Sequence, residues 1–260
     1  MGSQAKQASL WGQRPDDWAA IQEQTGNAGY EYALGLLKLT GKDILLDVGC
    51  GTGLFCHLAW ETGAKVVGMD ATAELIDRAK KRVPEIPFMT GEMEQLPFED
   101  ENFDVVTGFN SFQYAENTKN ALTEAKRVLK TGGRLTAMIW GNREECEAAA
   151  FLKAAGSLMP PPPPGAPGPF ALTENHLLES ILEEIGMKII DSCDVTSVWD
   201  YPDKETALKG LISAGPVANA IANSGLDKVA EVVGASIDPF VQSDGRVVYH
   251  NKFRVVTAVK

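Results

Sequence analysis

The chain has 260 residues, 44% of them apolar, and sets 35 acidic against 24 basic side chains for a net charge of -11. That length and apolar share suit one large domain that folds around its own core without covalent staples. The acidic balance argues against a nucleic-acid partner, because a phosphate-binding groove needs clustered lysine and arginine.

Residues 1–40 form an amphipathic segment in which Trp11, Trp18, Tyr30 and Tyr32 stand among Asp16, Asp17 and Glu23. From residue 44 apolar strands alternate with helical segments, the pattern of a parallel sheet with right-handed crossovers. The first strand is Ile44 to Val48 and the second Lys65 to Met69. A helix from Ala73 to Arg82 stops before Pro84, as proline requires. Short strands follow at Pro87 to Thr90 and, apolar and β-branched as a strand buried on both faces should be, at Asp104 to Phe109. A helix with Leu122, Ala125, Val128 and Leu129 on one face ends at Gly132-Gly133, and a fifth strand runs Arg134 to Trp140. Lys126, Arg127 and Lys130, the nearest approach to a basic patch, sit at that helix's C-terminus, where cations are favoured anyway.

Half of the chain's 14 prolines then fall between Met159 and Pro169. Such a run favours a stiff polyproline II segment: a rigid connector, a lip over a pocket or a docking site for a proline-binding partner. Leu177 to Ile185 reads as a helix, Lys188 to Trp199 as a long strand, and 203–234 as mostly helical. Gly245 opens a last strand, Arg246 to Val259, whose hairpin-like return makes it antiparallel to its neighbours.

Cys50, Cys56, Cys146 and Cys193 are dispersed and show no C-x-x-C pair, so reduced thiols are expected, without a disulfide or a metal site. No apolar run reaches membrane-spanning length and no apolar leader opens the chain, which points to a cytoplasmic protein that does not insert into membranes.

The most specific signal lies between the first two strands. Gly49, Gly51 and Gly53 recur at i, i+2 and i+4, and Leu54 stands where the dinucleotide fingerprint G-x-G-x-x-G would have its last glycine. A glycine turn of this kind lets a backbone approach a ligand closely, and the spacing fits a nucleoside that has no pyrophosphate to seat. Asp47 can meet a cationic ligand or brace the loop. Asp70 closes the second strand, where a carboxylate can grip both ribose hydroxyls; alternatively it caps the next helix, a task that Thr72 could take.

LLDVGCGTG, the acid at Asp70, GEMEQLPF, FDVV and VLKTGGRL follow one another in order over 44–136. Together they resemble a class I S-adenosylmethionine (SAM)-dependent methyltransferase of the branch that includes ubiquinone and menaquinone methyltransferases. The LWGQRPDDW, GFNSFQYAEN and PPPPPGAPGPFAL segments are similar to a bacterial sub-branch of it. The resemblance implies a Rossmann-like, doubly wound α/β fold. Its seven-stranded sheet has the order 3-2-1-4-5-7-6 with the last strand antiparallel. Residues 1–40 become a helical lid, and 41–260 a methyltransferase domain with the proline loop 159–169 and a helical cap at about 201–240. SAM would be the cofactor, S-adenosyl-L-homocysteine the product, and no metal would take part. The implied cofactor residues are Asp47, Gly49, Cys50, Gly51, Gly53, Asp70, Ala71, Glu92, Met93 and Asn110. Glu92 and Met93 would meet the adenine, unless Glu92 is simply an exposed loop acid, and the Asn110 backbone carbonyl would meet the methionine amino group.

Phe112, Gln113 and Tyr114 follow the fourth strand and, with Trp11 and Trp18, are the candidates for an acceptor pocket; they could equally pack beneath the loop. Tyr114 and, among the three histidines, His176 are the candidates for a catalytic hydrogen bond or base. Methyl transfer from a sulfonium is a displacement, so orientation should dominate over acid–base work. The expected activity is methylation of an O, N, S or C atom of a small molecule. The alternatives are a SAM- or S-adenosylhomocysteine-binding protein without methyl transfer and an NAD-dependent oxidoreductase, the latter supported only by the strand–turn–helix unit and its acid. A homodimer is compatible with this surface.

Overall fold

Seven strands form one sheet in the computed structural model, which describes residues 2–161 and 168–260. They are β1 (Ile44–Val48), β2 (Lys65–Asp70), β3 (Phe88–Thr90), β4 (Phe103–Phe109), β5 (Leu129–Trp140), β6 (Lys188–Tyr201) and β7 (Val247–Val259). Their spatial order is β3-β2-β1-β4-β5-β7-β6, as expected from the resemblance. The first five pair in parallel. β7 enters antiparallel between β5 and β6.

Side chains alternate across this sheet because successive strand residues point to opposite faces. Leu45, Val105, Met138 and Val255 enter one apolar cluster, while Leu46, Val106, Ala137 and Val256 enter the other. The helices are α1 (Gln4–Trp11), α2 (Pro15–Asp17), α3 (Asn27–Leu37), α4 (Leu54–Glu61), α5 (Ala73–Arg82), α6 (Thr118–Val128), α7 (Ala149–Gly156), α8 (Leu177–Glu184), α9 (Lys204–Ile212), α10 (Gly215–Ser224) and α11 (Leu226–Ile237). Leu37 of α3, Phe55 of α4 and Ile76 of α5 join the first cluster. Leu122 of α6 and Leu182 of α8 join the second. Helices therefore cover both faces, the doubly wound arrangement.

The sequence shows why individual elements form. On α5 the inward residues Leu75, Ile76 and Ala79 lie on one stripe, and Lys80, Lys81 and Arg82 fill the last turn, where the helix dipole favours cations. α6 starts at Asn117, whose side chain accepts the Asn120 N–H. It ends at Val128 and not at Gly132-Gly133. Leu129 already pairs with Phe103. The two glycines are held by the chain's last residue, with Gly132 N–H donating to Lys260 O and Lys260 N–H to Gly133 O. β6 runs two residues beyond the expected Trp199 because Tyr201 still pairs with Val247.

Helices α9 to α11 pack as a group, with Leu211, Val217, Val229 and Val233 fully buried in the first cluster beside Trp199 and Tyr249. The N-terminal arm is helical but irregular: α1 and α2 lead into a π-helical turn, Trp18–Gln22, and a 3-10 turn, Glu23–Gly26. Most of the proline run, residues 162–167, falls outside the described residues. No described helix is long and apolar enough to cross a membrane.

Candidate active site

The turn between β1 and α4 is built from three glycines with φ of +77°, +56° and +79° at Gly49, Gly51 and Gly53. Only glycine takes this conformation without strain. Neighbours add a second requirement, since a Cβ on Gly49 would collide with Ser111 and one on Gly53 would lie 3.0 Å from the Phe88 ring. On Gly51 it would instead project beside Glu23 Oε1 and Trp18 Nε1, at 3.5 and 3.7 Å. Gly51 thus keeps open the space that the arm encloses.

Asp70 closes β2 and is 9% exposed. Its Oδ2 accepts the Gly51 N–H at 2.9 Å and its Oδ1 the Thr72 N–H at 2.8 Å. Burial raises its pKa, and those N–H groups oppose the rise. Asp47 lies deeper, accepting the Thr107 hydroxyl at 2.7 Å and the Cys56 thiol at 3.5 Å. Burial pushes Asp47 up to about 6 and the neighbouring Cys50 thiol up to about 11. Asn110, at the end of β4, takes a left-handed φ of +50°, which asparagine tolerates better than most residues.

The arm lies across the loop. Glu23 accepts the Thr52 N–H at 3.1 Å and the Thr52 hydroxyl at 2.6 Å, and Arg82 of α5 donates to Glu23 Oε2 at 2.6 Å and to Thr52 O at 2.8 Å. Arg78 donates to Asp16, Tyr201 to Gln22 Oε1, and Ser197 to the Thr25 carbonyl, so α5 and β6 both hold the arm down. Trp11 meets Trp18 edge-on at 4.8 Å between ring centroids and Tyr114 at 5.4 Å. Gly215 backs this roof; a Cβ there would lie 2.5 Å from Trp11 Nε1.

Loop, arm and strand ends enclose about 670 Å³ of empty space, part of it open to solvent. Of the residues expected from sequence, Gly49, Gly51, Asp70, Ala71, Met93, Asn110, Trp11, Trp18 and Tyr114 line it. Asp47, Cys50 and Gly53 lie outside this lining, forming and bracing the loop. Glu92 also lies outside it. Its carboxylate accepts the Gln4 N–H at 2.7 Å and the Glu94 N–H at 3.0 Å, with the Ser3 hydroxyl at 3.3 Å, so it anchors the start of α1. Phe112 is 1% exposed in the second apolar cluster, and Gln113 reaches only Asn110 Oδ1, at 3.4 Å. His176 is away from the cavity: its side chain is 71% exposed, facing Glu179 at 3.4 Å. The helical segment 201–240 contributes no lining side chain among the described residues; it supports the roof from behind through Gly215.

Gln7, Glu23, Tyr30 and Phe109 line the cavity as well. Three of the lining residues carry a buried side-chain atom that lacks a protein partner among the described residues: Gln7 Oε1, Thr72 Oγ1 and Ser111 Oγ. The ionisable lining side chains are Glu23, Asp70, Tyr30 and Tyr114, and none of the lining residues is Lys, Arg or His. Burial pushes the Tyr114 phenol up to about 12.

Residues 46–137 match the family model described as a methyltransferase domain. Over 114 residues the chain is 32% identical to the malonyl-[acyl-carrier protein] O-methyltransferase of Hamiltonella defensa, covering 43% of this chain and 44% of that protein. Over 90 residues it is 40% identical to the demethylmenaquinone methyltransferase of Chlorobaculum tepidum, covering 34% of this chain and 37% of that protein. The matches thus span less than half the length of these curated relatives. Among solved structures, the [4+2]-cyclase SpnF shares the fold with a TM-score of 0.60 at 21% identity, over 94% of this chain and 84% of that one.

Proposed function

We propose, from the match of residues 46–137 to a methyltransferase domain, that the protein transfers a methyl group from SAM to a small-molecule acceptor. The observation that carries this reading is the cavity, in which the glycine loop, Asp70 and Asn110 meet at the carboxyl ends of β1, β2 and β4 beneath the Trp11–Trp18–Tyr114 roof. In open α/β sheets that is where ligands bind.

The residues fit an adenosyl ligand. Gly51 leaves room that a Cβ would fill, Asp70 is a buried carboxylate at the ribose position, and the hydroxyls of Thr72 and Ser111 are buried without partners. SAM, when bound, supplies an electrophilic methyl group on a sulfonium. Asp70 would hold the ribose and Met93 would pack on the base. Asn110 would offer its backbone carbonyl to the ammonium. Residues 1–40 act as a lid: Trp11, Trp18 and Gln7 exclude water and fix the acceptor's approach, which is where most of the rate is gained.

Acid–base help from the walls is slight. Glu23 is already committed to Thr52 and Arg82. Tyr114, its phenol raised by burial, stays protonated at neutral pH and can donate a hydrogen bond but not take a proton. The acceptor therefore arrives as a competent nucleophile and releases its proton to solvent. The chain's net charge of -11 and a cavity without a cationic side chain among the described residues make nucleic acid a poor acceptor.

The test is calorimetric titration with SAM and S-adenosylhomocysteine, using NADH as the control. Micromolar binding of the adenosyl ligands and none of NADH is expected. No adenosyl binding to protein shown free of co-purified nucleoside would overturn the reading.

A further inference from the structure

We infer that Gln7 is the residue by which the arm selects the acceptor, and that the acceptor is a small molecule without negative charge presenting an O–H or N–H donor. This rests on the methyl-transfer reading of the same cavity and adds to it a residue outside the matched domain.

Gln7 sits on α1 and is 8% exposed. Its Nε2 donates to the Tyr114 backbone carbonyl at 3.0 Å. That bond fixes the amide, because a carbonyl oxygen can only accept and so must face the NH2 end. Oε1 is then turned away from Tyr114, and it is buried without a partner among the described residues. A buried acceptor left unpaired carries the full desolvation penalty of that oxygen. A ligand N–H or O–H removes the penalty, whereas a ligand with only acceptor atoms leaves it in place.

Charge narrows the class further. Among the described residues the lining carries the carboxylates of Glu23 and Asp70 and no cationic side chain, and Arg82 is already engaged with Glu23. A carboxylate or phosphate would find no counter-ion among the described lining side chains and would lie beside like charges. A molecule without negative charge meets the rings of Trp11 and Tyr114, with the unpartnered Gln7 Oε1 buried in the same wall. Thr72 and Ser111, the other unpartnered lining groups, lie after β2 and β4 on the sheet side, where the nucleoside is expected. Gln7 belongs to the opposite wall, with the roof.

Protein saturated with S-adenosylhomocysteine is titrated with phenol, aniline, anisole and benzoate. Phenol and aniline should bind at least about tenfold tighter than anisole, which lacks the donor, and than benzoate, which is charged. Gln7→Met, similar in size but apolar, should reduce phenol and aniline to the anisole level and leave S-adenosylhomocysteine affinity unchanged. Anisole or benzoate binding as well as phenol overturns the inference, as does failure of phenol and aniline to bind; both are read on wild-type protein and do not depend on the variant folding. A Gln7→Met protein that keeps the preference overturns it too. Weakened S-adenosylhomocysteine binding in a folded Gln7→Met variant would assign Gln7 to the nucleoside instead. Wild-type protein that binds no S-adenosylhomocysteine removes the underlying methyl-transfer reading, a different failure.

Discussion

Glu23 Oε2 stands 2.6 Å from the Thr52 hydroxyl, so a carboxylate from the N-terminal arm closes the glycine loop of the sheet domain. Arg82 completes the contact from α5 at 2.6 Å. The arm's irregular turn makes this possible. Over Trp18–Gln22 the helix widens to π geometry, with the Glu23 N–H bonded to the Trp18 carbonyl. That i, i+5 bond brings Trp18 and Glu23 to the same cavity, where an α-helical turn would rotate them further apart.

Removing this carboxylate should loosen the loop and the arm together. Glu23→Ala leaves Arg82 without its counter-charge, with only the uncharged Thr52 oxygens to meet, and the Thr52 N–H without its partner. Breaking a buried ion pair by deleting one member costs about 3–5 kcal/mol, and the 25% exposure of the Arg82 side chain puts the loss at the low end or below it. Thermal denaturation should show the loss, and S-adenosylhomocysteine affinity should fall about tenfold as the loop relaxes. Glu23→Gln keeps an oxygen for Thr52 and should lose less of both. Unchanged ligand affinity in Glu23→Ala would mean that the arm does not support the loop.

Asp47 gives the fold a pH dependence of known sign. Its pKa rises to about 6 in the native state, from about 4 in an unfolded chain. Between these values the native state holds a proton that the unfolded state has released, so this group's contribution to stability falls as pH rises through the window. Asp47→Asn removes the charge and keeps an oxygen for the Thr107 hydroxyl. The variant should gain on wild type as pH rises from about 4 to about 7, reaching on the order of 2–3 kcal/mol. Denaturant titrations at about pH 4, 6 and 8 measure this difference; a constant offset across them would show that Asp47 titrates alike in the folded and unfolded chain.

Much of the frame was legible because its signals are local. Ile44–Val48 and Ala73–Arg82 form over the limits that their apolar runs and Pro84 set, since a strand buried on both faces and a helix stopped by proline carry their boundaries with them. The α6–β5 boundary was not legible: Gly132-Gly133 looks like a helix stop, but the partner that draws these residues into the sheet is Lys260, far along the chain. The same contrast divides the site. Gly49, Gly51 and Asp70 lie within one strand–turn–helix unit and reach the cavity together. Gln7 and Glu23 reach it only because α1 folds back onto Tyr114 and the arm turns with π geometry, and no spacing rule encodes either. Glu92 has suitable chemistry for a ligand, but Gln4 and Ser3 already hold it.

The roof depends on a residue that does not line the cavity. At Gly215 on α10, an added Cβ would sit 2.5 Å from Trp11 Nε1. Gly215→Ala must therefore displace the Trp11 ring, and overpacking of this kind costs about 1–3 kcal/mol. Tryptophan emission should shift with the altered contact to Trp18 and Tyr114, while S-adenosylhomocysteine binding on the sheet side stays within a fewfold of wild type. An unshifted spectrum with wild-type stability would show that α10 can retreat and that the roof stands without it.

Asp70 serves two roles that substitution can separate. It accepts two backbone N–H groups, from Gly51 and Thr72, and it lines the cavity where a ribose would lie. Asp70→Ala removes both roles and leaves two donors unpaired, a loss of about 1–3 kcal/mol for each donor that stays buried from water. S-adenosylhomocysteine affinity should drop about a hundredfold with it. Asp70→Asn keeps one acceptor oxygen and replaces the other with a donor. It should recover part of the stability, because one of the two N–H groups is still met. It should not recover affinity, because two ribose hydroxyls ask for two acceptor oxygens. Recovery of both together in Asp70→Asn would assign Asp70 to bracing the loop alone, with the ribose held elsewhere.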